Sequence, residues 1–217
     1  MSHKAPWNTR QNLGALVFTL IAAFFGLAGC AALLSDSTSD GAIATQMKSS
    51  FSERGPAKLD RVVQNELQQA CTEHARGVLP QALRETLERA ALAAILYPSD
   101  GKWLGEFVEG EKIAQLGRGL QFSDPVGAAG GGNCYACHQM TQSELSYGNI
   151  GPSLYQYGKL RGNSDAMLKY TWGKIWNSHA YNACSQMPRY GEAKILTEQQ
   201  IKHLMALLLD PASPVNR

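Results

Sequence analysis

The chain has 217 residues, 44% of them hydrophobic and 18% charged, with 20 Lys and Arg against 18 Asp and Glu. That composition excludes whole-chain disorder and a polytopic membrane protein, and it leaves room for one or at most two compact domains. Lys4 and Arg10 alone account for the formal charge of +2. Without them the chain is formally neutral, and no basic stripe of the kind that binds nucleic acid stands out.

Residues 1–29 read as an export signal: two bases, no acid, then an apolar stretch from Leu13 to Gly29 ending in small residues. Its end, Leu27-Ala28-Gly29-Cys30, resembles the bacterial lipobox, in which cleavage before the cysteine is followed by lipidation. Cys30 is therefore the expected acylation site. Several acyl chains, at about 0.8 kcal/mol per buried methylene, would hold an otherwise soluble protein at a membrane surface. An uncleaved membrane anchor is the competing reading of this stretch, and either one places the remainder outside the cytoplasm.

Residues 30–56 lack an apolar period and read as a flexible tether. Residues 57–104 read as a helical extension. Leu59, Val62, Val63 and Leu67 recur at helical spacing, and a second run after Pro80 carries Leu83, Leu87, Ala90, Ala91 and Ile95. Pro80 suits the first turn of that second helix.

A third helix is expected from Glu106 to Leu120, ended by Ser123-Asp124-Pro125 and the glycine run to Gly132. A turn-rich region then reaches Arg161, and a short helix spans Ser164–Trp176. The loop 177–191 precedes the terminal helix, where Thr197 and Gln200 fit a capping box and Ile201, Leu204, Met205 and Leu208 form one apolar face. No strand-period run of useful length occurs. With Cys134-Tyr135-Ala136-Cys137-His138 in the loop before the short helix and Met187 in the loop after it, this order resembles a small class I-like cytochrome c domain over 105–217, and the expected fold is all-α behind the extension.

Cys134-Tyr135-Ala136-Cys137-His138 carries the chemistry. Two thiols three apart can each add to a haem vinyl group, and the next histidine is then held beside the iron as an axial ligand. One covalent haem c is the expected cofactor. A thioredoxin-like redox pair, half of a zinc site and a local disulfide are the competing readings. The first lacks its strand–helix context, and the second lacks a second paired motif.

The second axial ligand should be a methionine, a histidine or nothing. Met140 is too close to His138 in sequence, Met205 belongs to the apolar face of the last helix, and Met167 lies within a helix. Met187 sits in the loop Ser185-Gln186-Met187-Pro188, where the proline stiffens the backbone beside the sulfur. His179 is its main competitor. A His/Met pair raises the reduction potential relative to two histidines and fills both axial positions, so the haem would relay electrons and leave no position for substrate.

Pro152, in Gly151-Pro152-Ser153-Leu154, resembles the proline of small cytochromes c whose carbonyl accepts the hydrogen bond of the proximal histidine, although a plain turn proline fits equally well. Arg189 could pair with a haem propionate or lie solvated. Cys71 and Cys184 remain, and in an oxidising compartment a disulfide between them is the economical reading. It would tie the extension to the methionine loop and restrict the movement of the ligand. A reactive or iron-binding Cys184 is the alternative.

Asn133-Cys134-Tyr135-Ala136-Cys137-His138, Gly148 to Leu154, Met187-Pro188-Arg189-Tyr190-Gly191, Ile195 to Ile201 and the tail Leu209 to Asn216 together resemble the SoxX family, the monohaem cytochrome subunits of SoxAX complexes. The likeness covers roughly residues 105–217. It implies a periplasmic electron-transfer subunit, itself non-catalytic, of an L-cysteine S-thiosulfotransferase. In that scheme a SoxA-like partner conjugates thiosulfate oxidatively to a cysteine of the SoxYZ carrier. His138 and Met187 would be the axial ligands, Cys134 and Cys137 the thioether anchors, and a small downstream cytochrome the electron acceptor. The lipobox and the 57–104 extension are not features expected of every member.

Overall fold

The computed structural model describes residues 40–217. The export signal and Cys30 lie outside the described residues. Residues up to Ser50 and residues Phe51–Arg217 fall into two units. Of the first, the described part is one helix, α1 (Asp40–Ser50), whose residues from Gly41 onward are all exposed. The tether expected over 30–56 is thus helical in part. The sequence Ala42-Ile43-Ala44-Thr45-Gln46-Met47-Lys48 holds no breaker after Gly41, and Thr45 Oγ1 donates to the Gly41 carbonyl at 2.8 Å.

The second unit is helical, and among the described residues the only β feature is an isolated bridge between Arg54 and Ala57. The first expected helix of the extension is interrupted. Leu59–Val62 makes a 3₁₀ turn, Val63 is extended, and α2 (Glu66–Glu73) starts afresh. Asn65 explains the restart: its side chain accepts from Gln68 N at 2.9 Å while Gln68 Oε1 accepts from Asn65 N at 3.1 Å, a reciprocal cap. The apolar spacing at Leu59 and Val63 does not mark a buried face, because both side chains are exposed.

Helix α3 (Gln81–Ala93) has Pro80 as its N-cap, one position before the first turn, and it buries Leu87. Helix α4 (Phe107–Gln115) stops five residues earlier than its pattern suggested, where Leu116 turns extended. Helix α5 (Tyr157–Arg161) was not expected from sequence. Helix α6 (Asp165–Trp176) is capped by Ser164, and α7 (Glu198–Leu209) carries the Thr197/Gln200 capping box.

The core is organised around α7. It buries Ile201, Leu204, Met205 and Leu208 as the period required, but Ala206, Leu207 and Leu209 are buried as well. The helix end is enclosed because the chain terminus folds over it. Ser213 Oγ donates to the Leu207 carbonyl, and Asn216 Nδ2 donates to Leu208 O at 3.1 Å and Asp210 O at 2.8 Å. These bonds satisfy terminal carbonyls that a helix cannot pair itself.

Helices α4 and α7 cross closely at Gly110, where an added methyl would lie 2.8 Å from the His203 carbonyl carbon and 2.9 Å from Leu207 Cβ. His203 Nδ1 in turn accepts from Glu106 N at 2.8 Å, capping α4 from the neighbouring helix. Trp172 is fully buried and meets Trp103 edge-on at 5.9 Å and Trp176 stacked at 6.0 Å. A smaller apolar cluster of Leu67, Ala70, Leu87 and Ala183 joins α2 and α3 to the loop after α6.

Candidate functional site

The motif Cys134 to His138 begins with a 3₁₀ turn, Cys134–Ala136. Cys137 N and His138 N both donate to the Cys134 carbonyl, at 3.1 and 2.9 Å. Asn133 enters the turn in the left-handed region at φ 45°, a conformation that asparagine tolerates better than most residues. The preceding glycines permit close backbone contact. Gly131 N donates to Arg118 O, Gly132 N to Ile113 O and Asn133 N to Leu116 O, lacing this segment onto the end of α4 at 2.8–3.0 Å. A methyl on Gly131 would collide with the Leu116 carbonyl.

On the other side, residues 148–154 run along the motif. Gly148 N donates to Tyr135 O at 2.9 Å, Gly151 N to Cys137 O at 2.8 Å, and Leu154 N to Gln139 O at 2.8 Å. The His138 ring closes the set, its Nδ1 lying 2.7 Å from the Pro152 carbonyl. A carbonyl only accepts, so Nδ1 carries a proton, and in the neutral ring the lone pair then lies on Nε2. Gly151 lies flat against the ring: a methyl there would lie 2.5 Å from Nδ1 and 2.7 Å from Nε2. Of the two readings of Pro152, the geometry places its carbonyl on the histidine.

Cys134 and Cys137 are unbridged, and both are half-buried. Burial of its sulfur pushes the Cys134 thiol up to about 12, with Cys137 adding in the same direction. Such a thiol is a poor thiolate nucleophile, unlike the lowered thiols of redox pairs. Among the described residues, no three His, Cys, Asp or Glu side chains come together as ligands for a metal ion.

Tyr135, between the two cysteines, is buried and donates to Glu111 at 2.9 Å; burial raises the pKa of its phenol, and the neighbouring carboxylate raises it further. Nothing in the sequence pairs Tyr135 with Glu111, 24 residues away. Tyr190 is buried, hydrogen-bonds to the Gly132 carbonyl, and has its pKa raised by burial.

Met187 is half-buried and packs against the main core. Its loop is pinned at several points. Ser178 Oγ donates to Met187 O at 2.6 Å, Met187 N donates to Ser185 Oγ at 3.2 Å, and Tyr190 N donates to Ile175 O at 3.1 Å. Gly191 lies against the Trp176 ring, with the ring Cγ 2.9 Å from where a methyl would sit.

His179, the competing ligand, is buried, and its Nε2 lies 3.1 Å from Ser185 O. That contact requires the proton on Nε2, and Nδ1 is buried without a hydrogen-bond partner. Burial is the main cause that lowers its pKa. Arg189 Nη1 pairs with Glu192 at 2.7 Å, with its side chain 17% exposed. Met140 and Met205 are core residues at 1% and 0% exposure. Met167 Sδ lies 3.6 Å from the Tyr157 hydroxyl.

Cys71 on α2 and Cys184 in the methionine loop are bonded as a disulfide, with their Cα atoms 5.6 Å apart. Next to it, Ala183 N donates to Glu88 Oε1 at 3.0 Å. A separate cleft of about 290 Å³ lies between α5 and the end of α7, lined by Lys159, Asn163 and Pro211 among others, and contains none of these site residues. No helix among the described residues is long and apolar enough to cross a membrane.

The donor set fits a covalently attached haem: two unbridged thiols on one turn, an adjacent imidazole whose Nδ1 is held by the Pro152 carbonyl, and Leu196 close to Gly132 at the start of the turn.

No known protein-family profile matches the chain. Over 128 residues it is 39% identical to an uncharacterized lipoprotein of Aquifex aeolicus (strain VF5), a match that takes in 58% of this chain and 59% of that protein. The chain thus spans about three fifths of the length of this relative.

Proposed function

We propose that this protein is an exported, lipid-anchored monohaem cytochrome c that acts as the electron-transfer subunit of a SoxAX-like thiosulfate-conjugating complex. One observation carries the reading. The His138 ring is held by the Pro152 carbonyl directly after a turn that presents Cys134 and Cys137 unbridged. When bound, the haem supplies a site that stores and passes one electron.

Each of the chain's own residues has a defined part in that reading. Cys134 and Cys137 are the thioether anchors. Pro152 fixes the tautomer and orientation of His138 and increases the basicity of its Nε2. Gly151 lets the loop lie close to the ring. Met187 is the sixth ligand, and the bonds from Ser178 and Ser185 place its backbone. A haem held by His138 and Met187 would leave no place for substrate, so chemistry on sulfur would belong to a SoxA-like partner and this chain would relay electrons to a small acceptor cytochrome.

Lipid attachment at Cys30 is supported by the lipobox and by the description of the Aquifex relative as a lipoprotein. It would hold the protein on the periplasmic face of a membrane. A free-standing lipid-anchored electron carrier is the second reading, and the same lipobox favours it, because an anchored carrier needs no fixed partner.

Co-purification from native membranes separates the two. A stable 1:1 complex with a second haem-staining protein supports the SoxAX-like reading, and a protein that stays monomeric leaves the carrier. Replacing Cys134 and Cys137 together by serine should remove haem staining from the denatured chain. Staining that persists refutes covalent attachment here.

A further inference from the structure

The methionine loop is fastened to the helical extension by three contacts of different kinds. Ala183 is buried in the small cluster with Leu67, Ala70 and Leu87. Its amide donates to Glu88, whose side chain is 19% exposed. Cys184 is bonded to Cys71 across 113 residues of sequence. All three lie within four residues of Met187, and all reach back to α2 or α3, outside the segment that carries the motif and its Pro152 loop. The apolar and hydrogen-bonded contacts are buried or half-buried, but Cys184 itself is exposed. Cys71 is half-buried against the small cluster, so a thiolate approaches the bond from the exposed Cys184 side.

We propose that Cys71–Cys184 is a thiol-accessible latch on the Met187 loop, through which a dithiol reductant acting on exported proteins loosens the loop and opens the sixth position of the haem. The proposal rests on the reading of Met187 as ligand. In the reaction, one thiolate of the reductant attacks Cys184 Sγ, the bond to Cys71 breaks, and Cys71 leaves as a thiolate that takes up a proton. The second thiol of the reductant then displaces Cys184. Two electrons and two protons end on the two cysteines, and the reductant becomes a disulfide.

With the latch cut, Glu88 and the Ala183 pocket remain. The loop therefore stays near its place but opens more often, which is a change of population and not of fold. Glu88 is a positioning residue in this arrangement: it holds the amide beside the latch and acts on the iron only through the loop.

Two readouts on the full haem-loaded chain test the proposal. Hydrogen exchange at the amides of 183–187 reports loop opening, and carbon monoxide binding after mild reduction with ascorbate reports access to the sixth position. Wild type treated with a dithiol, and separately the Cys71→Ser/Cys184→Ser variant, should exchange and bind at least tenfold faster than oxidised wild type. The reductant-treated wild type keeps the test valid if the variant folds poorly. Exchange at 183–187 that does not change on cutting the disulfide overturns the latch. Faster exchange without faster carbon monoxide binding overturns the link to the sixth position. If Met187→Ala binds carbon monoxide no faster than oxidised wild type, the ligand reading has failed instead, and amide exchange alone still decides whether the loop is latched.

Discussion

Replacing Gly151 by alanine tests the geometry of the proposed haem site most directly. The new methyl would lie 2.5 Å from His138 Nδ1 and 2.7 Å from Nε2, and ordinary contact begins at 3.4 Å, so the ring must retreat by about 1 Å. The Nδ1–Pro152 bond, 2.7 Å in the native arrangement, would stretch beyond useful hydrogen-bond length. Overpacking of this kind costs about 1–3 kcal/mol, and the lost bond about 0.5–1.5 kcal/mol. The gain from restricting the unfolded chain is about 0.4–1 kcal/mol, so the net effect should be a destabilisation of roughly 0.5–4 kcal/mol.

Gly77→Ala is the matched control, because no atom lies within 4 Å of its added methyl and its φ is not positive. It should be neutral or slightly stabilising. Urea titrations followed by far-ultraviolet circular dichroism and by haem absorbance measure both variants. A Gly151→Ala protein as stable as wild type, with an unchanged haem spectrum, would refute the packing of the ring on Gly151.

Met187→Ala should abolish the weak long-wavelength band of ferric methionine-ligated haem, and a surviving band would assign the sixth ligand elsewhere, with His179 next in line. Gly110→Ala should destabilise the fold by about 1–3 kcal/mol despite the better helix propensity of alanine, since the methyl meets backbone of the crossing helix; thermal melts decide it. Cys30→Ser should move the protein from membranes to the soluble fraction, and continued partition into membranes counts against lipidation.

His179 gives a pH dependence. Its folded-state pKa lies below the ordinary 6.5, so the unfolded chain binds the proton more readily. Stability is therefore fully present above about pH 6.5 and falls as the pH drops towards the folded value, by at most about 1.4 kcal/mol per pH unit for one group. His179→Gln should flatten that part of the profile. Equal slopes in denaturation at pH 7, 6 and 5 would show that His179 takes no part.

Covalent chemistry and strong periodicity were legible in the sequence. The Cys134 to His138 turn needs only local spacing, and the capping box of α7 and the burial of Ile201, Leu204 and Met205 follow from one helix read alone. Local patterns failed where a break or a cover came from elsewhere. The Asn65 cap divided what the apolar spacing joined, and α1 formed where low hydrophobicity suggested a tether. The C-terminal turn buried Leu207 and Leu209, which lie outside the apolar face that the pattern marked.

The sequence by itself determined that two thiols and a histidine stand on one turn, because five consecutive residues suffice for that. Only the tertiary structure decided what surrounds them: the Pro152 carbonyl on His138 in place of a plain turn, Glu111 on Tyr135, and Glu88 beside the Cys71–Cys184 bond that the cysteine count had already suggested. Those contacts join residues 14, 24, 95 and 113 positions apart. No local periodicity encodes such pairings; they arise when packing around α7 brings distant segments together.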